Sequence, residues 1–520
     1  MVACAMHMRP PRSLLVATAL SLGAALLAAP LVTSTAAVSA EASEPAAFRA
    51  SPIAWGRCRD AFLRSSGARC GMLTVPLDHA DPTGPTIRLA VSRVAHTGRT
   101  YRGVMFTNPG GPGGSGTFLA AYGQFVPGTV ARTYDWIGVD PRGVGASRPA
   151  LTCDVRIAEI GTRPPSYYPT SDAILDQWLA KSETYAADCG ASRAAALLPH
   201  MRTTDTVADL EVLREALGAE QVSFYGFSYG TYLAQVYATL HPDRIDKLVL
   251  DGVLDPRGVW FDSQQQQNRA FEKAMGQFWT WAARANRTYR LGRTGARVEK
   301  TYYRVLQRVT RKPVNGVGGP EVADLTLSAG YSRSSWPDVA SMLSEVATKG
   351  TARRLRKAYT SGYPTTRRGD NGYATYLATL CTDAPWPTDL DALLADYAGQ
   401  DRSRHFFTWP NAWYNGPCRT WPAAPGTPVD VATSDQQALL ISETFDGATP
   451  FAGALEVRRR FGGASLIEGV GGTTHAGSLS GIACVDDRIA AYLASGRLPK
   501  RRSGDRSDVR CPAIPAPPAR

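Results

Sequence analysis

The chain runs to 520 residues, 44% of them hydrophobic and 20% charged, with a formal charge of +12. This is the balance of a soluble globular protein, with length for one large domain plus an insertion or for two to three ordinary domains. It excludes a bundle of membrane spans, because past residue 40 no stretch is long and apolar enough to cross a bilayer. Basic clusters at Arg353, Arg354, Arg356 and Lys357, at 458–460 and at 500–502 carry no recognition motif and no regular aromatic interleaving. They are expected to be solvated surface, with no nucleic-acid partner.

Residues 1–40 read as an export signal. Arg9 and Arg12 precede an Ala- and Leu-rich run over 14–32, broken by Pro30, and Val38, Ser39 and Ala40 offer a small-residue cleavage site. Cleavage near Ala40 yields a secreted chain with no stable membrane insertion. Cys4 leaves with the signal. The cysteines that remain, Cys58, Cys70, Cys153, Cys189, Cys381, Cys418, Cys484 and Cys511, form an even set, which favours disulfides in an exported protein. Pairing in sequence order is the simplest scheme. No C-x-x-C or H-x-x-x-H spacing supports a zinc site, and nothing calls for an organic cofactor.

Taken in order, Ile87, Leu89, Val91 and Val94 alternate as an early strand, and 104–107 predicts another. The second runs into a loop containing Asn108, Pro109, Gly110, Gly111, Pro112, Gly113, Gly114 and Gly116, whose backbone N–H groups face whatever lies above the sheet. It has neither the Lys-Ser/Thr ending of a Walker loop nor a G-x-G-x-x-G pattern. A strand at 136–139 delivers Asp140 and Arg142, read as scaffolding for the glycine loop. A helix is expected from Thr204 to Leu217, capped by Thr203 or Thr204 and stopped by Gly218.

The next stretch, 222–239, organises the chain. A β-branched and aromatic run meets Gly226, Phe227, Ser228, Tyr229 and Gly230, then continues with Leu233, Val236, Tyr237 and Leu240 at helical spacing. Strand, G-x-S-x-G turn and helix make a nucleophile elbow. A buried strand at 248–250 follows and ends at Asp251. Helix, strand and helix alternate as in a parallel sheet. From 256 to 430 the pattern turns helical and irregular and holds eight of the eleven tryptophans, which reads as an inserted lid domain. Strands resume at 438–442 and 465–467, and a helix over 485–494 closes the fold. The Arg- and Pro-rich tail past Pro499 is expected to be loose apart from Cys511. The division is therefore a signal over 1–40, core over 41–255, cap over 256–430 and core again over 431–520.

A serine hydroxyl needs a base, and the base needs a group that fixes its tautomer. The order Ser, acid, His is that of α/β hydrolases, which sets the fold class as α/β, with a mostly parallel sheet and helices on both faces. His475 sits on a Gly-rich loop after the last strand and is the only histidine past residue 438. Asp446 follows the preceding strand and is favoured as the acid over Asp251, which also ends a strand, and over Glu443. The backbone N–H of Tyr229, with that of Gly110 or Gly111, would meet the tetrahedral charge.

The loop 108–116, the run 140–147, the elbow 226–230, the turn 444–450, and 471–475 with Cys484, Val485 and Asp486 together resemble the secreted tripeptidyl aminopeptidases of the prolyl-aminopeptidase-like serine peptidase family. The resemblance covers about 55–511, including the characteristic C-terminal domain. It implies Ser228 as nucleophile, Asp446 as acid, His475 as base, Tyr229 with Gly110 or Gly111 as oxyanion donors, and an α-helical cap between about 256 and 430. It also implies a peptide substrate cut into short pieces from its free N-terminus. Prolyl aminopeptidases carry His-Gly-Gly-Pro-Gly where this chain has Pro109 in place of the histidine. A backbone oxyanion role survives that change, and a strict proline-releasing specificity is not implied. The alternative is a secreted esterase or lipase acting on small or apolar esters with the same triad. The intact elbow, acid and histidine argue against a binding protein that kept only the fold. Recognition of a free amine requires an acidic group near the pocket. Glu272, Glu299, Glu321, Glu345 and Asp383 all lie in the cap, and the sequence does not rank them.

Overall fold

The computed structural model describes residues 48–519, so the signal, its cleavage site and Cys4 lie outside the described residues. One sheet holds ten strands: β1 (Gly56–Arg57), β2 (Arg69–Pro76), β3 (Thr86–Val94), β4 (Gly103–Asn108), β5 (Tyr134–Asp140), β6 (Val222–Phe227), β7 (Ile245–Asp251), β8 (Leu439–Glu443), β9 (Ser465–Val470) and β10 (Val509–Pro512). Their order across the sheet is β1-β2-β3-β5-β4-β6-β7-β8-β9-β10. β1, β2, β3 and β5 pair antiparallel, and every pairing from β5 through β10 is parallel.

β5 and β6 are buried at every position. Alternate residues feed two apolar layers. Val104, Phe106, Val222 and Phe224 face the helices Thr203–Ala216 and Tyr229–Leu240, and Met105, Trp136, Tyr225 and Phe227 share a core with the helix Ala483–Ser495. Burial on both faces is why 248–250 reads as an unbroken apolar run instead of an alternating one. β4 lies between β5 and β6, so the loop leaving β4 and the turn leaving β6 open side by side at the carboxyl end of the sheet, where strand order reverses.

Between β7 and β8 the chain leaves the sheet for a run of helices, from Phe261–Arg284 to Thr408–Asn415. The first buries Phe271, Met275, Phe278 and Ala282 along one stripe, against Trp336, Trp409 and Trp413 from later helices. A second excursion joins them. The helix Asp172–Gly190, which leads toward Thr203–Ala216, places Trp178 against Tyr167 and Trp413, with ring centroids 5.0 and 5.8 Å apart. The sequence gives little sign of this contribution, because the buried face of that helix mixes Ser182 with Trp178, Tyr185 and Cys189. No described helix is long and apolar enough to cross a membrane.

Two local expectations are corrected. Neither Thr203 nor Thr204 caps the helix Thr203–Ala216: Asp205 accepts the Arg202 N–H at 2.9 Å, and the Thr203 hydroxyl donates to Asp383. The tail past Pro499 is also held in place. Buried Asp508 accepts from the Arg458 guanidinium (2.7 Å) and the Leu466 N–H (2.8 Å), and β10 extends the sheet alongside β9. Beyond it, the Ile514 N–H reaches Glu443 (2.9 Å) and the Trp281 indole N–H donates to the Pro517 carbonyl (2.8 Å). A reading by composition misses the one aspartate that orders an otherwise basic segment.

The disulfides are Cys58–Cys70, Cys153–Cys189, Cys381–Cys418 and Cys484–Cys511, in sequence order as expected. Such bonds persist in oxidising compartments and are consistent with an extracellular protein. Peptide mapping without reductant should recover these four pairs. Reduction should lower the melting temperature, since each bridge contributes about 2 to 4 kcal/mol.

Candidate active site

Ser228 stands between β6 and the helix Tyr229–Leu240 with φ at +55°, a left-handed conformation that costs a non-glycine residue energy and must be held by its surroundings. The Ser228 N–H donates to the Asp251 carbonyl (3.0 Å), and its own carbonyl accepts from the Thr231 N–H (2.8 Å). Backbone packing supplies the rest. A Cβ on Gly230 would lie 2.6 Å from the Asn108 carbonyl oxygen, and one on Gly110, at φ +88°, would lie 2.5 Å from the Phe227 carbonyl oxygen. The glycine loop after β4 is therefore seated directly on the elbow, and side chains at these points would push the two apart.

Asp140 holds that loop. Its carboxylate accepts from the Ser115 hydroxyl (2.7 Å) and from the N–H groups of Gly116 (2.9 Å), Thr117 (3.1 Å) and Ala146 (2.8 Å). Arg142 acts elsewhere, pairing in bidentate fashion with Asp209 (2.8 and 2.7 Å) on the helix Thr203–Ala216. The scaffolding role expected of both residues falls on Asp140 at the loop and on Arg142 one layer below. The Gly110 N–H donates to Asn108 Oδ1 (2.8 Å) and is thus occupied. The N–H groups of Gly111 and Tyr229 make no hydrogen bond among the described residues, and Gly111 borders the same cavity as Ser228.

On the loop after β9, His475 Nδ1 lies 2.8 Å from Asp446 Oδ2 and 3.1 Å from Oδ1. Asp446 is fixed in turn by the N–H groups of Ala448 and Thr449 (both 2.9 Å) and by the Thr449 hydroxyl (3.0 Å), which also lies 3.2 Å from His475 Nδ1. Asp251 has a different task, accepting the Ser478 N–H at 2.7 Å, and Glu443 accepts the N–H groups of Thr474 and Ile514. Ala476 and Leu479 have positive φ, and their loop is tied at His475 N to the Tyr331 carbonyl (2.8 Å), at Ser478 to Asp251, and at Leu479 and Gly481 to Asp486. His475 borders the turn after β7, where a Cβ on Gly252 would lie 2.9 Å from its ring.

Burial alone would lower the His475 pKa, but the charge and hydrogen bond of Asp446, with a further contribution from Asp251, raise it above the ordinary value. Burial pushes Asp251 up to about 6 and Glu443 to about 7, against hydrogen bonds that favour their charged forms.

Above these residues lies a cavity of about 550 Å³. Ser228, Gly111 and Thr449 border it from the sheet side, Tyr331, Asn411 and Trp413 from the helical side. Among the described residues, none of the five cap acids singled out from sequence borders it. Glu321 pairs with Arg163 (3.0 Å), and Asp383 binds Thr203 and Trp260. Glu272 holds the Phe406 N–H, and Glu345 accepts from the Thr351 hydroxyl (2.7 Å). The acid on the cavity wall is Asp324, from the helix Gly319–Tyr331.

Sequence models of known families match residues 103–306 as an alpha/beta hydrolase fold and residues 405–511 as a TAP-like protein. Over 475 residues the chain is 36% identical to a tripeptidyl aminopeptidase of Streptomyces lividans, covering 88% of this chain and 86% of that one. The chain belongs to the tripeptidyl-aminopeptidase-like family of α/β hydrolases. Serine protease Hip1 of Mycobacterium tuberculosis is 28% identical over 472 residues (86% of this chain, 90% of that one). A carboxylesterase B of the same organism is 29% identical over 513 residues (94% and 97%). The two matched regions of this TAP-like hydrolase divide the site: the first contains the glycine loop and Ser228, the second Asp446 and His475.

Ser228→Ala and His475→Ala should each cost on the order of 10⁴-fold or more in turnover with the fold intact, and Asp446→Asn about 10⁴-fold. Asp251→Asn should cost far less, and a crippling effect there would transfer the role of the acid. Because His475 must be neutral to act as base, the acidic limb of kcat/KM against pH should lie above the ordinary histidine value of about 6.5. Stability should run the other way. Asp251 and Glu443 bind protons more tightly folded than unfolded, so their contribution is complete below about pH 4 and is lost as pH rises through about 6 and 7, which melting curves across that range would show.

Proposed function

We propose that this chain is a secreted serine aminopeptidase that releases short peptides, tripeptides or similar, from free N-termini. Ser228 Oγ attacks the scissile carbonyl while His475 takes its proton, and Asp446 holds the imidazole through Nδ1 and stabilises the imidazolium. The N–H groups of Gly111 and Tyr229 receive the oxyanion. His475 then protonates the departing amine, and water, activated by the same imidazole, hydrolyses the ester on Ser228. In this reading the core comprises 41–255 and 431–520, the cap covers 256–430, and the chain is exported with its signal cleaved near Ala40.

The observation that carries the substrate assignment is the cavity. The serine lies beneath a helical cover in a space of about 550 Å³, within the roughly 300 to 1,000 Å³ of small-ligand sites, so a long chain can offer only an end. Peptidase relatives over most of the length support the same choice, with the carboxylesterase B relative favouring the ester reading.

The test compares free and N-acetylated di- and tripeptide chromogenic amides, run beside a short-chain p-nitrophenyl ester. Free amines should be preferred by roughly two to four orders of magnitude in kcat/KM, the consequence of removing a charge-assisted contact in a dry site. Equal rates on capped and free amides rule out amine recognition. Rapid ester hydrolysis with no amide turnover assigns the chain to the esterases.

A further inference from the structure

We infer that Asp324 is the residue that receives the substrate's terminal ammonium, an inference that rests on the aminopeptidase reading above. Asp324 borders the cavity that also contains Ser228, and among the described residues it is the only carboxylate to do so.

Its surroundings leave it short of positive charge. Arg163 serves two carboxylates at once, Asp324 through Nη1 at 2.6 Å and Glu321 through Nη2 at 3.0 Å. All three side chains are at least four-fifths buried, with exposures of 7% for Arg163, 3% for Glu321 and 16% for Asp324, so a net negative charge sits in a poorly solvated place. Glu321 is further committed to the Gly318 N–H at 2.7 Å, at the start of its own helix. Asp324 accepts the Tyr167 hydroxyl on Oδ1 (2.6 Å) and Arg163 on Oδ2, which uses one acceptor position on each oxygen and leaves one on each for an incoming donor. An ammonium with three donors matches what is missing, in charge and in hydrogen bonds.

The rest of the wall suits the same group. Tyr331, Tyr363, Tyr376 and Tyr414 also border the cavity and bring aromatic rings, not further cations, to its wall. Burial, with Asp324 next among the causes, raises the Tyr167 and Tyr363 pKa values far above the ordinary range, so these phenols stay neutral donors. Lys181 is the other cation on the wall besides Arg163. Its principal charged neighbours are Asp154 and Arg163, and its amine is held below its usual range by burial. With the amine fixed at Asp324 and the scissile carbonyl at Ser228, the span between the two sets how many residues leave as product.

The experiment measures three quantities on the full exported chain and on Asp324→Asn: hydrolysis of a p-nitrophenyl ester without an amine, the ratio of kcat/KM for free over N-acetylated tripeptide amides, and product lengths from a long free-amine peptide by mass spectrometry. In Asp324→Asn the ester rate should persist, the ratio should fall about 100-fold or more, and a single product length should give way to several. A wild-type ratio near one overturns the aminopeptidase reading and this inference together. A high wild-type ratio that survives in Asp324→Asn overturns this inference alone. If Asp324→Asn also loses ester hydrolysis, Asp324→Glu is read instead, because it keeps the charge facing Arg163 and moves it by one methylene. It should raise KM for free-amine substrates several-fold without affecting acetylated ones, and an unchanged KM overturns the assignment.

Discussion

The site depends on one contact between two pieces of backbone. The loop after β4 lies against the elbow after β6 so closely that Gly110 and Gly230 have no room for a side chain. This contact holds Ser228 in a left-handed conformation that an isolated turn would relax, and it brings the N–H of Gly111 to the same cavity as the serine. Parallel pairing of β4 with β6, which sets Asn108 opposite Gly226, gives the two loops their common height. Asp140, at the end of β5 on the other side of β4, ties the loop down with its carboxylate. Three neighbouring strands thus each contribute one part: Asp140 as anchor, the glycine loop, and the turn that carries Ser228.

The other half of the site is built from buried charge. His475, Asp446, Asp251 and Glu443 lie within one region at the carboxyl ends of β7, β8 and β9, and the pKa values of His475, Asp251 and Glu443 are raised from the ordinary range. Each of the two raised carboxylates holds loop N–H groups that fix the segment bearing the histidine. Under the proposed mechanism His475 must lose its proton to act, while ionisation of Asp251 and Glu443 weakens the folded state over an overlapping pH range. At these positions the ionisation state that frees the imidazole is thus set against the one that stabilises its surroundings.

Legibility in the sequence followed distance along the chain. The elbow and the glycine loop are local patterns that stand at the ends of β6 and β4, and Asp446 and His475 follow β8 and β9 within hydrogen-bonding distance of each other. The disulfides close short loops, so pairing in order was enough. Asn108, Thr449 and Asp324 had no such signature. Asn108 matters because its side chain occupies the Gly110 N–H, Thr449 because it touches both Asp446 and His475, and Asp324 because a helix from the cap turns it into the cavity. Of the five acids named from sequence over 256–430, Glu272, Glu321, Glu345 and Asp383 are taken up by hydrogen bonds and an ion pair that only folding reveals, and Glu299 does not border the cavity. The helix Asp172–Gly190 and the tail around Asp508 were missed for the same reason, since their partners lie about two hundred residues away or in a strand without a strong pattern of its own.

The tail also bears on timing. A chain made from its N-terminus presents the elbow early, but Glu443 binds the Ile514 N–H, Arg333 donates to the Ile514 carbonyl (2.6 Å), and Cys484 pairs with Cys511. The loop that carries His475 is thus locked only when the last few dozen residues have emerged. The elbow is completed by residues that come before 252, whereas the loop that bears His475 is completed by residues that follow it, up to Ile514.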